Sequence, residues 1–173
     1  MPDHPFEIRD ASVPDDLPAI ERLWFEYLTW GNDEMEARHG FRLPVAEAVA
    51  HDLASIDQFL PPDGRLLLAV DRDGPFGIGC LRRIRADTAE IKRMYVEPTH
   101  RGAGAGRAIL EGLIAGAERA GYARVLLDSP DFMTAAHALY RAHRFDLIGP
   151  YPESEIPEHL RGNWVFMERA AGS

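Results

Sequence analysis

Three glycines at alternate positions, Gly102, Gly104 and Gly106, stand between a β-branched and apolar run and an amphipathic helix. The run is Glu90-Ile91-Lys92-Arg93-Met94-Tyr95-Val96, which reads as a strand. From Ala108 to Ala120, Ile109, Leu113 and Ala117 recur on one helical face with Leu110 and Ile114 beside it. A strand that passes through a glycine loop into a helix builds an anion site. Amides of the first helical turn have no intrahelical acceptor, and residues without Cβ let a ligand approach the backbone. Arg101 and Arg107 bracket the loop with positive charge. A plain strand-to-helix turn needs neither three glycines nor a basic residue at each end.

The spacing narrows the kind of phosphate. A dinucleotide fingerprint requires Gly-x-Gly-x-x-Gly or Ala, and both possible frames here fail at the third small residue, on Arg107 or Ile109. A phosphate-binding Walker loop requires Gly-Lys-Ser or Gly-Lys-Thr, whereas Gly106 is followed by Arg107-Ala108. Arg101-x-x-Gly104-x-Gly106 does fit a known pattern: it resembles the acyl-CoA loop of the GNAT superfamily of N-acetyltransferases. The segment Leu139-Tyr140 followed by Phe145 is similar to that family's Leu-Tyr-x-x-x-Gly-Phe, with Arg144 in place of the glycine and Met133 where many members carry asparagine.

The remaining chain agrees in order of elements. A short strand is expected over Phe6–Arg9. Ser12 and Asp15 read as a capping box, with Pro14 in a first helical turn. Leu17, Ile20, Leu23, Trp24, Tyr27 and Leu28 give a helical stripe, and the polar stretch from Gly31 to Gly40 reads as loop. A second helix is predicted from Pro44 to Phe59, stopped by Pro61-Pro62-Asp63-Gly64. Strands follow at Arg65–Asp71, Phe76–Arg83 and Ala89–Val96, then the glycine loop and its helix. Val125–Leu127 reads as a buried strand, Met133–His143 as a helix, and Phe145–Ile148 and Trp164–Glu168 as closing strands. The resemblance implies an α/β (α+β) GNAT fold: one domain over 1–173, a mixed central sheet of about six to seven strands and about four flanking helices.

Charge and composition limit the partners. The 173-residue chain carries a net charge of −9, yet the basic side chains gather where the loop lies. Residues 1–64 hold fourteen acidic and four basic side chains, whereas residues 82–107 hold seven basic and three acidic. That distribution suits an anionic cofactor and a cationic acceptor and argues against nucleic acid. No apolar run approaches the ~18 residues a membrane helix needs. Met1–Pro5 lacks the basic flank and apolar core of a signal peptide. A single cysteine, Cys80, excludes internal disulfides and sits in an apolar stretch as a buried thiol. A cytoplasmic protein is the expectation.

Acetyl transfer to an amine needs a held thioester, a polarised carbonyl, a neutral amine and a proton for the departing sulfur. The resemblance implies acetyl-CoA as co-substrate, with the backbones of Met94, Tyr95 and Val96 beside the pantetheine arm. The Met94 amide would point at the thioester oxygen. It further implies that the amides of Arg101, Gly102, Ala103, Gly104, Ala105, Gly106 and Arg107 wrap the pyrophosphate. An alkylammonium has a pKa near ~10.4, so a base is required. Glu90 stands eleven positions before Arg101, as the base does in histone-acetylating members, and strand alternation puts it on Met94's face beside Lys92. Its plain alternative is an exposed carboxylate paired with Lys92. Glu97, Asp128 and His137 are further base candidates, as is a water chain. Tyr140 matches the phenol that protonates the sulfur, or else it is a helix tyrosine packed on the sheet.

No serine-hydrolase elbow occurs, and His137 and His143 are wrongly spaced for a metal pair, so no metal is expected. The acceptor would be a small-molecule or peptide amine, walled by the acidic N-terminal third and the segment from Tyr151 to Asn163. Glu26, Asp33, Glu34 and Glu36 would draw in a cation or simply line a solvated helix end. Dimerisation through Trp164–Glu168 is a further expectation. A non-catalytic acyl-CoA sensor, a longer acyl chain and an oxygen acceptor remain alternatives.

Overall fold

The structure, a computed structural model, describes residues 5–173; the first four residues of the Met1–Pro5 reading lie outside them. Seven strands form one sheet in the order β1-β2-β3-β4-β5-β7-β6. They are β1 (Glu7–Asp10), β2 (Arg65–Asp71), β3 (Gly74–Arg85), β4 (Thr88–Val96), β5 (Arg124–Pro130), β6 (Asp146–Ile148) and β7 (Trp164–Ala170). All neighbours run antiparallel except β4 and β5. The helices are α1 (Leu17–His39), α2 (Val45–Ala54), α3 (Ala105–Arg119) and α4 (Thr134–Ala142).

Two apolar layers sandwich the sheet. On one face Ile109, Leu110 and Leu113 of α3 and Tyr140 of α4 pack against Leu67, Ala69, Leu81 and Ile91. On the other, Ile20, Leu23 and Trp24 of α1 and Val49 of α2 pack against Leu66, Leu68, Ile78 and Cys80. Alternation along β2 and β3 therefore supplies both cores, as expected of strands covered on two faces. Burial pushes the Cys80 thiol up to about 12, in keeping with an inert buried cysteine.

Helix α3 lies close on the sheet because Gly79 presents no side chain to it. A Cβ at Gly79 would sit 2.4 Å from Ile109 Cγ2. The loop that precedes α3 is aimed by this contact.

Three expectations need correction. The polar segment 31–40 continues α1 through to His39 instead of forming a loop. Buried Met35 anchors it, and the Asn32 side chain bonds both the carbonyl (2.6 Å) and the amide (2.9 Å) of Leu43. Gly40 then closes the helix at φ +74°. The capping box fails too: α1 starts at Leu17, while the Ser12 amide donates to Asp16 Oδ2 at 2.7 Å within a preceding turn. The second helix ends at Ala54, and a separate 3₁₀ turn covers Ile56–Phe59. Strand β7 lies between β5 and β6, and β6 pairs with it along Phe166–Glu168.

Arg144 adopts φ +62°, the left-handed backbone a glycine would take without strain. The helix end thus keeps its shape despite the residue change. Arg144→Gly is expected to raise stability by about 0.5–1 kcal/mol, the ~1–2 kcal/mol relief of strain being partly offset by glycine's unfolded-state entropy. Gly79→Ala should cost about 1–3 kcal/mol by overpacking against Ile109. Urea denaturation of both variants checks the two signs.

Candidate active site

Strands β4 and β5 pair from Thr88/Arg124 to Ile91/Leu127 and then part. The cause is on β4. Cys80 faces Lys92 and Ile78 faces Tyr95, so Arg93 and Met94 together face Gly79 alone. This is a bulge, and Arg93 sits in it at φ +54°. The extra residue reverses the alternation beyond it. Arg93 reaches Asp52 of α2 on one face, whereas Met94 joins Ile109 and Leu113 on the other. The expectation that Glu90 shares Met94's face is therefore overturned.

Two cavities open where the strands separate. The first, about 540 Å³, is lined by Met94, Tyr95, Val96, Gly102, Gly104, Ala105, Gly106, Arg107 and Tyr140, with Trp30 and Phe132 opposite. Arg101 also lines it, donating from Nε to the Val96 carbonyl (2.9 Å) and stacking over Trp30 at 5.0 Å. Ala103 is exposed in the same loop without lining the cavity. Gly102 and Gly104 take φ +86° and +92°, which only glycine adopts without cost, and Gly104 is the N-cap of α3. Gly106 is already helical. Among the described residues no protein acceptor receives the amides of residues 102–107. The Arg101 amide contacts only Pro98 O, at 3.4 Å. The Tyr140 hydroxyl lies 3.9 Å from Met94 Sδ, and burial keeps its pKa above the ordinary phenol value.

The second cavity, about 390 Å³, lies between α1, α2, β5 and the 149–163 segment. Tyr27 and Met133 line both cavities, with Oη and Sδ 4.0 Å apart, so the two spaces meet there. Asp128 lines the second cavity, accepting from Ser154 Oγ at 2.9 Å. Burial raises its pKa against the more distant pull of Lys92 and Arg93, and among the described residues no cation stands within ion-pair distance of it.

Glu90 lines neither cavity. It is 1% exposed. Arg82 holds Oε1 through Nε at 2.8 Å, and the Tyr151 hydroxyl donates to Oε2 at 2.8 Å. Its plain alternative, an exposed carboxylate on Lys92, is equally displaced: Lys92 pairs with Glu155. Burial raises the Glu90 pKa against the opposing pull of Lys92 and Arg82. Tyr151 Oη also lies 3.5 Å from Asp128 Oδ2, so the phenol, whose one proton goes to Glu90, stands between the two carboxylates.

Of the weaker candidates, Glu97 pairs with Arg22 at the end of β4, and His137 is buried against Ser129 at 3.0 Å. Glu26, Glu34, Asp33 and Glu36 pair with Arg22, Arg38 and Arg42 on the outside of α1, a solvated face. Sequence reasoning named the segment from Tyr151 to Asn163 as a wall, and Glu155, Ile156 and Pro157 do line the second cavity, but it missed the individual roles of Tyr151 and Ser154 and missed Asp52 and Arg93 altogether. Only Asp128, at the end of a buried strand, carried a legible signal.

The family model described as Acetyltransferase (GNAT) family matches residues 19–145. An IAA acetyltransferase of Azospirillum brasilense is 36% identical over 127 residues, covering 70% of this chain and 78% of that protein. An uncharacterized N-acetyltransferase of Schizosaccharomyces pombe is 29% identical over 170 residues, 92% of this chain and 91% of that one. The crystal structure of the paia N-acetyltransferase of Thermoplasma acidophilum, in complex with coenzyme A, superposes with TM-score 0.72 at 17% identity over 95% of this chain and 98% of that chain.

Removing the intervening phenol tests the carboxylate pair. Tyr151→Phe leaves Glu90 Oε2 buried without its donor and should cost about 1–3 kcal/mol. The midpoint of urea denaturation reads the loss.

Proposed function

We propose that this chain, which belongs to the acetyltransferase (GNAT) family and is an acyltransferase, moves the acetyl group of acetyl-CoA onto a primary amine by direct attack. One observation carries the reading. Among the described residues, the amides of residues 102–107 stand without protein acceptors along one side of a cleft that holds a buried tyrosine hydroxyl. Such amides at a helix start suit a diphosphate, with Arg107 adding charge. The coenzyme A seen with the Thermoplasma protein, which shares the fold, supports the same ligand here. Arg101 acts differently from the expectation: stacked on Trp30 and tied to Val96, it closes the cleft as much as it offers charge.

In this reading Asp128, not Glu90, meets the amine. Asp128 faces the second cavity, and Glu90 stands behind Tyr151 as a positioning residue. Asp128 takes the proton that the ammonium sheds. The nitrogen then attacks the thioester carbonyl, forming the C–N bond as the C–S bond breaks, and the second proton that the nitrogen sheds on becoming an amide is the one the departing sulfur takes up. The departing sulfur needs a donor, and Tyr140 is the matching hydroxyl. Burial keeps that phenol protonated at neutral pH. The thiolate of a thiol of pKa near ~8.5 is a weaker base than such a phenolate. Tyr140 therefore serves chiefly by hydrogen-bonding the developing thiolate, and the proton settles on sulfur as the product leaves.

Tyr140→Phe should lower kcat roughly a hundredfold while coenzyme A affinity changes less than about twofold, read by thiol release and by titration calorimetry. Gly104→Ala, which forces a Cβ onto φ +92°, should weaken coenzyme A binding about tenfold or more with the fold intact.

The pH profile separates the carboxylates. A base works deprotonated, so kcat/KM falls as pH falls through its pKa, and burial puts the Asp128 limb above the ordinary carboxylate range. Asp128→Asn should abolish this limb and most of the rate. Glu90→Gln should keep the limb and move it to lower pH, because a neighbouring negative charge is gone. The reverse pattern would return the base role to Glu90.

A further inference from the structure

The second cavity says what kind of amine fits. We infer that the acceptor is a compact primary monoamine with an apolar body, alkyl or arylalkyl, and without a carboxylate; this rests on the acetyl-transfer reading above. The volume of about 390 Å³ lies at the lower end of the ~300–1,000 Å³ common for small-molecule sites. Its walls are mainly apolar: Leu28 and Met35 from α1, Leu43 and Val45 at the start of α2, Ile156, and Trp164 of β7. An apolar body placed there removes these surfaces from water.

The charges at the inner end decide the polarity of the head group. Arg93 donates to Asp52 Oδ2 at 2.7 Å and lies 4.0 Å from Glu155. Lys92 pairs with Glu155, and Arg82 pairs with both Glu155 and Glu90. Each cation is thus already matched to carboxylate. Asp128 alone among these acids has no cation within ion-pair distance among the described residues; its hydrogen-bonding neighbours are the Ser154 and Tyr151 hydroxyls, and Lys92 and Arg93 act on it only from further away. An ammonium would complete Asp128. A carboxylate on the acceptor would have to draw Arg93 from Asp52, which is 1% exposed and would be left buried and uncompensated. A second ammonium would meet Asp52 and Glu155, which also line the cavity but are already paired with Arg93, Lys92 and Arg82, or Glu47, an exposed and solvated side chain on α2 beside His51.

Asp128 is also well placed along the chain. It follows Leu127, the last residue of β5 paired with β4, and its charge is felt both by Tyr27, which lines both spaces, and by Tyr140 in the cleft. A head group there lies near the Tyr27–Met133 junction, with the apolar body pointing toward α2.

The experiment measures thiol release from acetyl-CoA with 2-phenylethylamine, hexylamine, L-phenylalanine and spermidine. The two monoamines should exceed the amino acid and the polyamine in kcat/KM by ~100-fold or more. Leu43→Trp, which fills the apolar wall, should raise KM for 2-phenylethylamine about tenfold and leave ethylamine within about threefold. Leu43→Ala, a cavity-enlarging change, should instead favour bulkier amines such as tryptamine. Preference for L-phenylalanine or spermidine would overturn the acceptor class and leave acetyl transfer standing. Equal KM values for 2-phenylethylamine in the wild type and both Leu43 variants would also overturn it. Tight acetyl-CoA binding with no thiol release for any amine would sink the acetyl-transfer reading itself, and this inference with it.

Discussion

The site depends on one break in the sheet. Parallel β4 and β5 share hydrogen bonds only as far as Ile91 and Leu127, and the bulge at Arg93 sends the next residues of β4 away from β5. Without the bulge, Arg93 and Met94 would exchange faces. Arg93 would then point at α3, where only apolar side chains await it, and Asp52 would lose its partner. A positive-φ arginine costs about 1 kcal/mol or more, and a buried ion pair with Asp52 at 2.7 Å holds it there. Gly79, the single residue opposite the bulge, completes the arrangement by letting α3 approach, which in turn aims the glycine loop.

Buried charge on the far side of β4 follows from the same geometry. Glu90, Lys92 and Arg93 all turn toward α2 and the 149–163 segment, and they carry Arg82, Glu155 and Asp52 with them. Such a cluster is expensive to desolvate, so it is weak evidence for stability by itself. Its use is placement. Lys92 and Arg82 overcome the effect of burial on Glu155 and hold its carboxyl at about 2. Arg85 pins the neighbouring Glu153 in like manner. The irregular segment is thereby fastened across the sheet, with Tyr151 inserted between Glu90 and Asp128. Because Glu155 is depressed, this fastening is present above the unfolded carboxylate value near ~4.3 and is lost as pH falls through about 2.

Much of this was readable in the chain and some could not be. The loop was legible because three glycines and a strand-to-helix change of period have few structural uses. Sheet order followed from turn residues and alternation. The bulge was hidden, because nothing in Lys92-Arg93-Met94 departs from strand composition; tertiary pairing with Asp52, forty-one residues earlier, selects it. For the same reason Glu90 looked like a cavity residue. The second half of α1 looked like loop, since Gly31, Asn32 and Asp33 in succession lower helical propensity. Asn32 bound to Leu43, buried Met35 and ion pairs to Arg38 and Arg42 override that preference. Tyr151 and Ser154 lay among prolines, where periodicity carries no information.

The unexpected half of α1 has the larger consequence for function. Tyr27 and Trp30 line the cleft beside the glycine loop, whereas Leu28, Gly31, Asn32 and Met35 line the apolar cavity. One continuous helix therefore supplies walls to both spaces, and its end is tied to the start of α2 through Asn32 and Leu43. A loop in this position would leave each cavity open on one side. With the helix formed, whatever occupies the first cleft presses on Trp30 and Tyr27, and the same rigid segment bears on Met35 and Leu28 in the second. The two sites share a wall, and the same helix sets the width of both.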